Sequence, residues 1–440
     1  MRFHIRTYGC QMNIRDSEAV SALLRSAGHS ESESINDADI VLLNTCSVRD
    51  SAERKVEGYL WKLRSWKDER DGRILCIVGC MAQSGGDDLL AKFPHLDIVA
   101  GTSRIARIPE MISNASLGYG RFSDTNDDKT PYDDMSTHTL GNGISAFIPV
   151  MRGCSMNCSY CIVPQVRGGE KSRPEEEIIK EAKELSDKGI KEIFLLGQNI
   201  AAYGLDGVRT KTEKSPFAKL LAKIAKIENV KRIRFTSPHP ASFNDELINE
   251  VCENRKVCDS VHIPLQSGSD RILTLMQRKY SSSDYMRIIE KLVSGRPAIS
   301  FSTDVIVGFP GETDEDFNDT RKILQTVGFE QEFIFKYSKR KNTPAAEMNE
   351  QLPDKIKEDR NQILLEDLKK RVLKKNRDTH GKTVEILLES ESSRGNNRMI
   401  GKTSSNKTVI VEKKQGFKVG DFANALIEDS TLAALYGIII

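Results

Sequence analysis

Arg152-Gly-Cys-Ser-Met-Asn-Cys-Ser-Tyr-Cys-Ile-Val-Pro-Gln-Val-Arg-Gly-Gly-Glu-Lys-Ser-Arg173 is the stretch from which the rest of the chain is read. Cys154, Cys158 and Cys161 stand in a C-x3-C-x2-C array, with Tyr160 directly before the last cysteine. Spacing this tight lets one loop aim three thiolates at one point. Iron–sulfur cubes are held by cysteine thiolates, and a full set is four. Three ligands leave one iron open, much as a catalytic zinc keeps one open position. An open iron can hold a small molecule and pass it an electron. Half of a zinc site, or three buried free thiols, would use the same residues, but zinc sites usually pair two C-x2-C knuckles.

Working outward, the array follows an apolar run, Phe147–Met151, and opens a βα rhythm that lasts to about residue 340. Further strand candidates are Glu192–Leu196, Arg232–Thr236, Ser260–Pro264, Ser300–Val307 and Glu332–Phe335, with helical patterns such as Pro174–Lys188 and Asp314–Val327 between them. Ser172-Arg-Pro-Glu175 reads as a helix start and Gly189 as its stop. About six such units predict a parallel sheet curled into a partial (β/α)6 barrel. The cysteine loop then lies at the C-terminal mouth, and the missing units leave one side open for a large substrate. Gln198, Ser237, His239 and Gln266 fall at other strand ends, and Val307-Gly-Phe-Pro-Gly-Glu312 adds flexibility at the fifth. These polar residues suit cofactor or substrate contacts, and equally turns and helix caps.

Upstream, residues 1–115 predict a small doubly wound α/β domain. Its strands are Phe3–Tyr8, Ile40–Asn44 and Ile74–Val78, and its helices Asp16–Ala27 and Val48–Trp66. Cys10, Cys46 and Cys80 each fall just past a strand's C-terminal end, where ligands collect in open α/β sheets. They converge there or are simply buried thiols, since free cysteine is among the most buried residue types. Gly9 and Gly79 precede two of them and would let backbone approach a bulky inorganic ligand. Cys76, Cys252 and Cys258 read as structural.

A polar stretch, 116–143, reads as a linker, and the next unit as 144–376. It closes with a basic turn, Lys339-Arg340-Lys341, and a charged helix ending near Arg377, both able to meet phosphates. Residues 377–440 carry the strand candidates Thr383–Leu388, Thr408–Val411 and Phe422–Glu428, which predict a small antiparallel β-barrel.

Composition narrows the setting. The 440 residues are 38% hydrophobic and 29% charged, an ordinary globular balance. No long apolar run suggests a membrane span, and the N-terminus lacks a signal peptide's apolar core. Nine cysteines without such a signal favour metal or catalysis over disulfides and a cytoplasmic location. A net charge of +2 gives no bulk signal for nucleic acid.

With these motifs in place, the chain resembles the radical S-adenosylmethionine (SAM) methylthiotransferases over essentially its whole length. The resemblance rests on the Cys154–Cys161 array, Thr7-Tyr-Gly-Cys-Gln-Met-Asn13, Asn44-Thr-Cys-Ser-Val-Arg49, Leu196-Gly-Gln-Asn199, Arg232-Ile-Arg-Phe-Thr-Ser-Pro-His239 and His262-Ile-Pro-Leu-Gln-Ser-Gly-Ser269. It implies an N-terminal methylthiotransferase domain, a central radical SAM barrel and a C-terminal TRAM barrel. It further implies two [4Fe–4S] clusters, one on Cys154, Cys158 and Cys161 with SAM at its open iron, and an auxiliary one on Cys10, Cys46 and Cys80. Gln198, Ser237 and Gln266 are the candidate SAM contacts.

The implied activity is addition of a methylthio group to carbon 2 of N6-isopentenyladenosine in tRNA, which requires an electron donor and a sulfur source. Relatives acting on a ribosomal protein aspartate typically carry Gly-Cys-Pro-Lys-Asn at the first site, and those acting on threonylcarbamoyladenosine usually carry Gly-Cys-Lys; this chain has Gly-Cys-Gln-Met-Asn. Those two substrates, another modified adenosine, and a non-catalytic iron–sulfur RNA-binding or redox-sensing role are the alternatives. Gln165 and Gly169 depart from the Tyr and Glu common in related tRNA enzymes.

Overall fold

The computed structural model of the chain describes residues 1–47, 50–126, 143–207, 213–392 and 397–440. The first two residues of the helix expected from Val48, and most of the expected linker, lie outside them.

Ile40-Val-Leu-Leu-Asn-Thr45 and Ile74-Leu-Cys-Ile-Val-Gly79 are buried at every position, as strands covered on both faces must be. Ile40, Leu42, Cys76 and Val78 pack against the helices Gln11–Ser26 and Ile108–Ser116. Val41, Leu43, Leu75 and Ile77 face the helices Asp50–Asp68 and Cys80–Lys92 on the other side. The sheet they centre is parallel, in the order Ser30–Glu31, Arg2–Thr7, Ile40–Thr45, Ile74–Gly79, Ile98–Ala100, Phe122–Asp124. The chain order reverses between Arg2–Thr7 and Ile40–Thr45, which opens a crevice beyond their C-terminal ends.

Phe122–Asp124 falls inside the stretch expected as linker. It nonetheless pairs with Ile98–Ala100, and Phe122 packs on the core. Asp124 secures it with ion pairs to Arg104 at 2.8 Å and Arg107 at 2.7 Å. A short edge strand in polar surroundings carries no hydrophobic run to announce it.

Six parallel strands build the central barrel: Ser145–Pro149, Glu192–Leu196, Arg232–Phe235, Ser260–His262, Ser300–Val307 and Gln331–Lys336. They bond as two three-stranded sheets. Hydrogen bonds from Ile233 N to Lys256 O at 2.7 Å and from Cys258 N to Ile233 O at 3.0 Å join them. Alternate residues (Ile148, Ile193, Leu195, Ile233, Val305) face the surrounding helices and form the largest core.

The C-terminal barrel is closed by five strands in the order Thr383–Glu391, Arg398–Thr403, Thr408–Glu412, Leu435–Ile439, Phe422–Ser430. All neighbours are antiparallel except Thr408–Glu412 and Leu435–Ile439. Five strands on a closed ring cannot alternate direction throughout, so one parallel pair is forced. The turn after Arg398–Thr403 seals the floor of the central barrel. There Arg234 donates to Thr403 O at 2.8 Å and Ser404 O at 3.0 Å, and Arg232 to Lys402 O at 2.7 Å.

Polar locks join the first sheet to the central barrel. Glu181 takes Arg173 at 2.7 Å and Arg15, from the first helix, at 3.6 Å. Thr102 Oγ1 donates to Val166 O at 2.6 Å, and Arg340 pairs with Glu53 at 3.0 Å. No helix among the described residues is long and apolar enough to cross a membrane.

Candidate functional site

The C-x3-C-x2-C array folds back on the residues that follow it. Cys154 N donates to Gly168 O at 3.1 Å. Gly153 holds φ +75°, and a Cβ there would lie 2.0 Å from Gly169 O and 2.6 Å from Gly168 O. Only glycine lets the loop lie this close. Gln198 Oε1 accepts from Gly153 N at 2.5 Å, and Ser159 is tied to Met276 O and Leu275 O at 3.0 and 2.8 Å. Cys161 N donates to Cys158 O at 3.0 Å, closing the turn between two of the thiols. Arg278 Nη1 donates to Cys158 Sγ at 3.3 Å while its Nε reaches the Tyr280 hydroxyl at 3.2 Å. Burial pushes the Cys154 thiol up to about 12 and Cys161 up to about 11. Iron binding must therefore expel protons from these thiols.

The second group assembles from three strand ends. Cys10 caps the helix Gln11–Ser26, Cys46 follows Ile40–Thr45, and Cys80 opens the helix Cys80–Lys92. Cys10 hydrogen-bonds Cys46, which holds its thiol down at about 5 against the opposing effect of burial; the Arg167 charge and the amides of the helix start assist. Burial pushes Cys80 up, opposed by Arg167. Arg167 Nε donates to Cys80 Sγ at 3.3 Å and its Nη2 to Asp16 Oδ2 at 3.0 Å.

Beneath the thiols, Asn44 donates to Asn13 O at 2.8 Å and Asn13 to Asn44 Oδ1 at 2.9 Å. The glycines before Cys10 and Cys80 clear space between neighbouring loops. A Cβ on Gly9 would come within 2.6 Å of Cys46 Cβ, and one on Gly79 within 2.6 Å of Thr45 O. They let the loops approach one another.

Both groups consist of free thiols. Among the described residues, no three Cys, His, Asp or Glu side chains are gathered tightly enough for a single metal ion. A cube with a separate iron under each sulfur asks for ligands spread further apart, and the donors here are thiolates backed by cations and helix N-termini. Three thiols per site, a hydrogen bond to sulfur at each, and glycine clearance around the loops fit such a group.

Gln198, Ser237 and Gln266 lie at the ends of neighbouring barrel strands. Ser237 and Gln266 hold φ of +61° and +66°, strained values that cluster at functional sites. Gln198 grips the cysteine loop itself. Beside them, His239 is buried; its Nδ1 accepts from Ala241 N at 3.2 Å, and its backbone N donates to Asn199 Oδ1 at 3.0 Å. Of the expected basic turn, Arg340 points inward to Glu53, whereas Lys339 and Lys341 stay exposed. Gln165, one of the departures noted above, donates to Asn342 O at 2.7 Å beside that turn. Cys76 lies in the first core, Cys258 near Arg234 on the floor, and Cys252 on an outer helix beside Leu292. Sequence reasoning missed Arg278, Asn13 and Glu170, the last donating from its backbone N to Ser155 Oγ of the cysteine loop at 3.2 Å and accepting from Asn199 at 3.2 Å, as site residues. Asn13 and Glu170 had a signal, since they stand within the quoted motifs.

Models of three families match along the chain: "Uncharacterized protein family UPF0004" over residues 2–101, the Radical SAM superfamily over 148–324, and the TRAM domain over 377–440. The barrel and its three-thiol loop thus define the class as radical SAM. In fold, the chain is similar to the radical SAM methyltransferase TsrM from Kitasatospora setae, with a TM-score of 0.58 at 13% identity over 78% of this chain and 74% of that one. Relatives named tRNA-2-methylthio-N(6)-dimethylallyladenosine synthase match end to end. The one from Caldicellulosiruptor saccharolyticus is 42% identical over 100% of this chain and 92% of its own length. That from Opitutus terrae is 40% identical over 99% and 97%. The chain belongs to this family of radical SAM methylthiotransferases.

Proposed function

We propose that the chain adds a methylthio group to carbon 2 of N6-isopentenyl(dimethylallyl)adenosine next to the anticodon in tRNA. The observation that carries the reading is the pair of three-thiol sites, one in a single loop and one across a sheet edge, held together through Arg167. Cys154, Cys158 and Cys161 hold a [4Fe–4S] cluster whose open iron takes SAM, and Cys10, Cys46 and Cys80 hold a second. When bound, these groups supply one-electron chemistry able to open an unactivated aromatic C–H, which acid–base catalysis cannot do.

The protein's residues set the stage for that chemistry. Gly153 and Gln198 fix the loop, and the strained strand ends at Ser237 and Gln266 would contact SAM when it is bound. Both clusters and the tRNA require partners that deliver electrons and sulfur. The reading carries a cytoplasmic location and functional units of 1–115, 144–376 and 377–440, the first sheet borrowing its sixth strand from the segment after 115. An anticodon-loop base is largely unpaired, so presenting it to the barrel mouth costs less than extrusion from a duplex. Lys339 and Lys341 are the basic-turn residues left exposed to meet its backbone.

The test is mass spectrometry of tRNA nucleosides from cells lacking the gene, with and without its restoration. The methylthio nucleoside is expected only on restoration. Its absence in both would overturn the substrate and redirect attention to a ribosomal protein aspartate or threonylcarbamoyladenosine.

A further inference from the structure

Arg167 belongs to one cysteine site by its backbone and to the other by its side chain. It ends the short helix Val163–Arg167, which begins two residues after Cys161. Ile162 and Val166 of the same segment pack directly on Cys80. Val166 O is bound by Thr102 from the first sheet at 2.6 Å. From this seat the guanidinium crosses to the other site, donating to Cys80 Sγ at 3.3 Å and to Asp16 at 3.0 Å. Its side chain is 8% exposed and that of Asp16 2% exposed, so solvent screens the charge little.

A hydrogen bond to a ligand sulfur and a nearby cation both favour the reduced form of an iron–sulfur cluster, because each stabilises the added negative charge. We propose that Arg167 is a positioning residue that sets the reduction potential of the cluster on Cys10, Cys46 and Cys80 and mechanically ties that cluster to the loop holding the other. This rests on the two-cluster reading above. Because one residue serves both sites, a shift of the Cys154–Cys161 loop moves the donor on Cys80.

The test isolates the second site. In the full-length C154A/C158A/C161A chain, reconstituted with iron and sulfide, the remaining cluster is reduced with dithionite and its midpoint followed by electron paramagnetic resonance. Adding R167Q is expected to lower the midpoint by at least a tenfold change in the reduction equilibrium, about 59 mV for one electron. R167K, which keeps the charge but not the planar fork, is expected to fall between. If R167Q misfolds because Asp16 is left buried without its cation, D16N/R167Q is read against D16N, which keeps Arg167, and is expected to lie below it by a similar shift. A midpoint in R167Q equal to the parent's, or in D16N/R167Q equal to that of D16N, with iron bound, overturns this inference alone. Absence of iron from the C154A/C158A/C161A chain overturns the two-cluster reading and this inference with it.

Discussion

The two cysteine sites reach similar ends by opposite routes. One takes three thiols from eight consecutive residues, Cys154 to Cys161, and needs only a loop clamped by Gly153, Gln198 and Ser159. The other takes one thiol from each of three strand ends and exists only once the parallel sheet has set its register. A local site is defined by spacing; a distributed one is defined by topology. Each receives a guanidinium on one sulfur, but Arg167 is neutralised by Asp16, whereas Arg278 meets a phenol. The thiols differ as well. Mutual hydrogen bonding holds Cys10 down at about 5, while burial pushes Cys154 and Cys161 up.

Removing a ligand from each site should separate their duties most sharply. Cys158→Ala is expected to abolish SAM cleavage. Cys46→Ala is expected to spare cleavage and stop methylthio transfer, and chromatography of 5′-deoxyadenosine beside product would reveal any mixing of the two roles.

Next in size is a reactivity difference in the cluster-free chain. A thiol near 5 is already thiolate at neutral pH, whereas thiols near 11 and 12 are almost wholly protonated. Between pH 6 and 9, iodoacetamide should label Cys10 at a nearly constant rate. Labelling of Cys154 and Cys161 should start at least about tenfold slower and rise with pH, even allowing for the weaker nucleophilicity of a low-pKa thiolate. Peptide mapping across that range checks it; equal pH profiles would erase the contrast.

Gly153→Ala should strain only the local site. Its Cβ meets carbonyl oxygens that cannot step aside, and the φ is unfavourable by roughly 1–3 kcal/mol. Iron content should drop at that site alone, as Mössbauer quantitation would report. Asn44→Ala should be milder and confined to the distributed site. It removes donors to Asn13 O and Ser17 Oγ and leaves buried acceptors unmet, costing about 1–3 kcal/mol by urea titration.

Legibility followed the same divide. The loop site was readable because its ligands are neighbours in sequence. The sheet site was readable only as three cysteines past three strands, a rule of position that left their mutual contact open. What the sequence hid are contacts between distant segments: Arg167 lies 87 residues from Cys80, Arg278 120 from Cys158, and Arg340 287 from Glu53. An arginine's partner cannot be deduced from its neighbours, so a basic turn read as a surface patch yielded a partly buried pair, Arg340 with Glu53, beside an exposed one, Lys341 with Asp88 at 3.8 Å. The sixth strand escaped because an edge in polar sequence lacks alternation. Arg398–Thr403 and Leu435–Ile439 were missed in the C-terminal barrel, and with them the odd strand count that forces a parallel pair.

The Arg15–Glu181–Arg173 lock has a consequence for motion. All three side chains are at most 6% exposed, so the first sheet and the barrel share a buried ionic contact. Removing one partner of such a buried pair while the interface stays closed costs about 3–5 kcal/mol. The lock resists separation of the first sheet from the barrel, and with it any change in the spacing of the two cysteine sites.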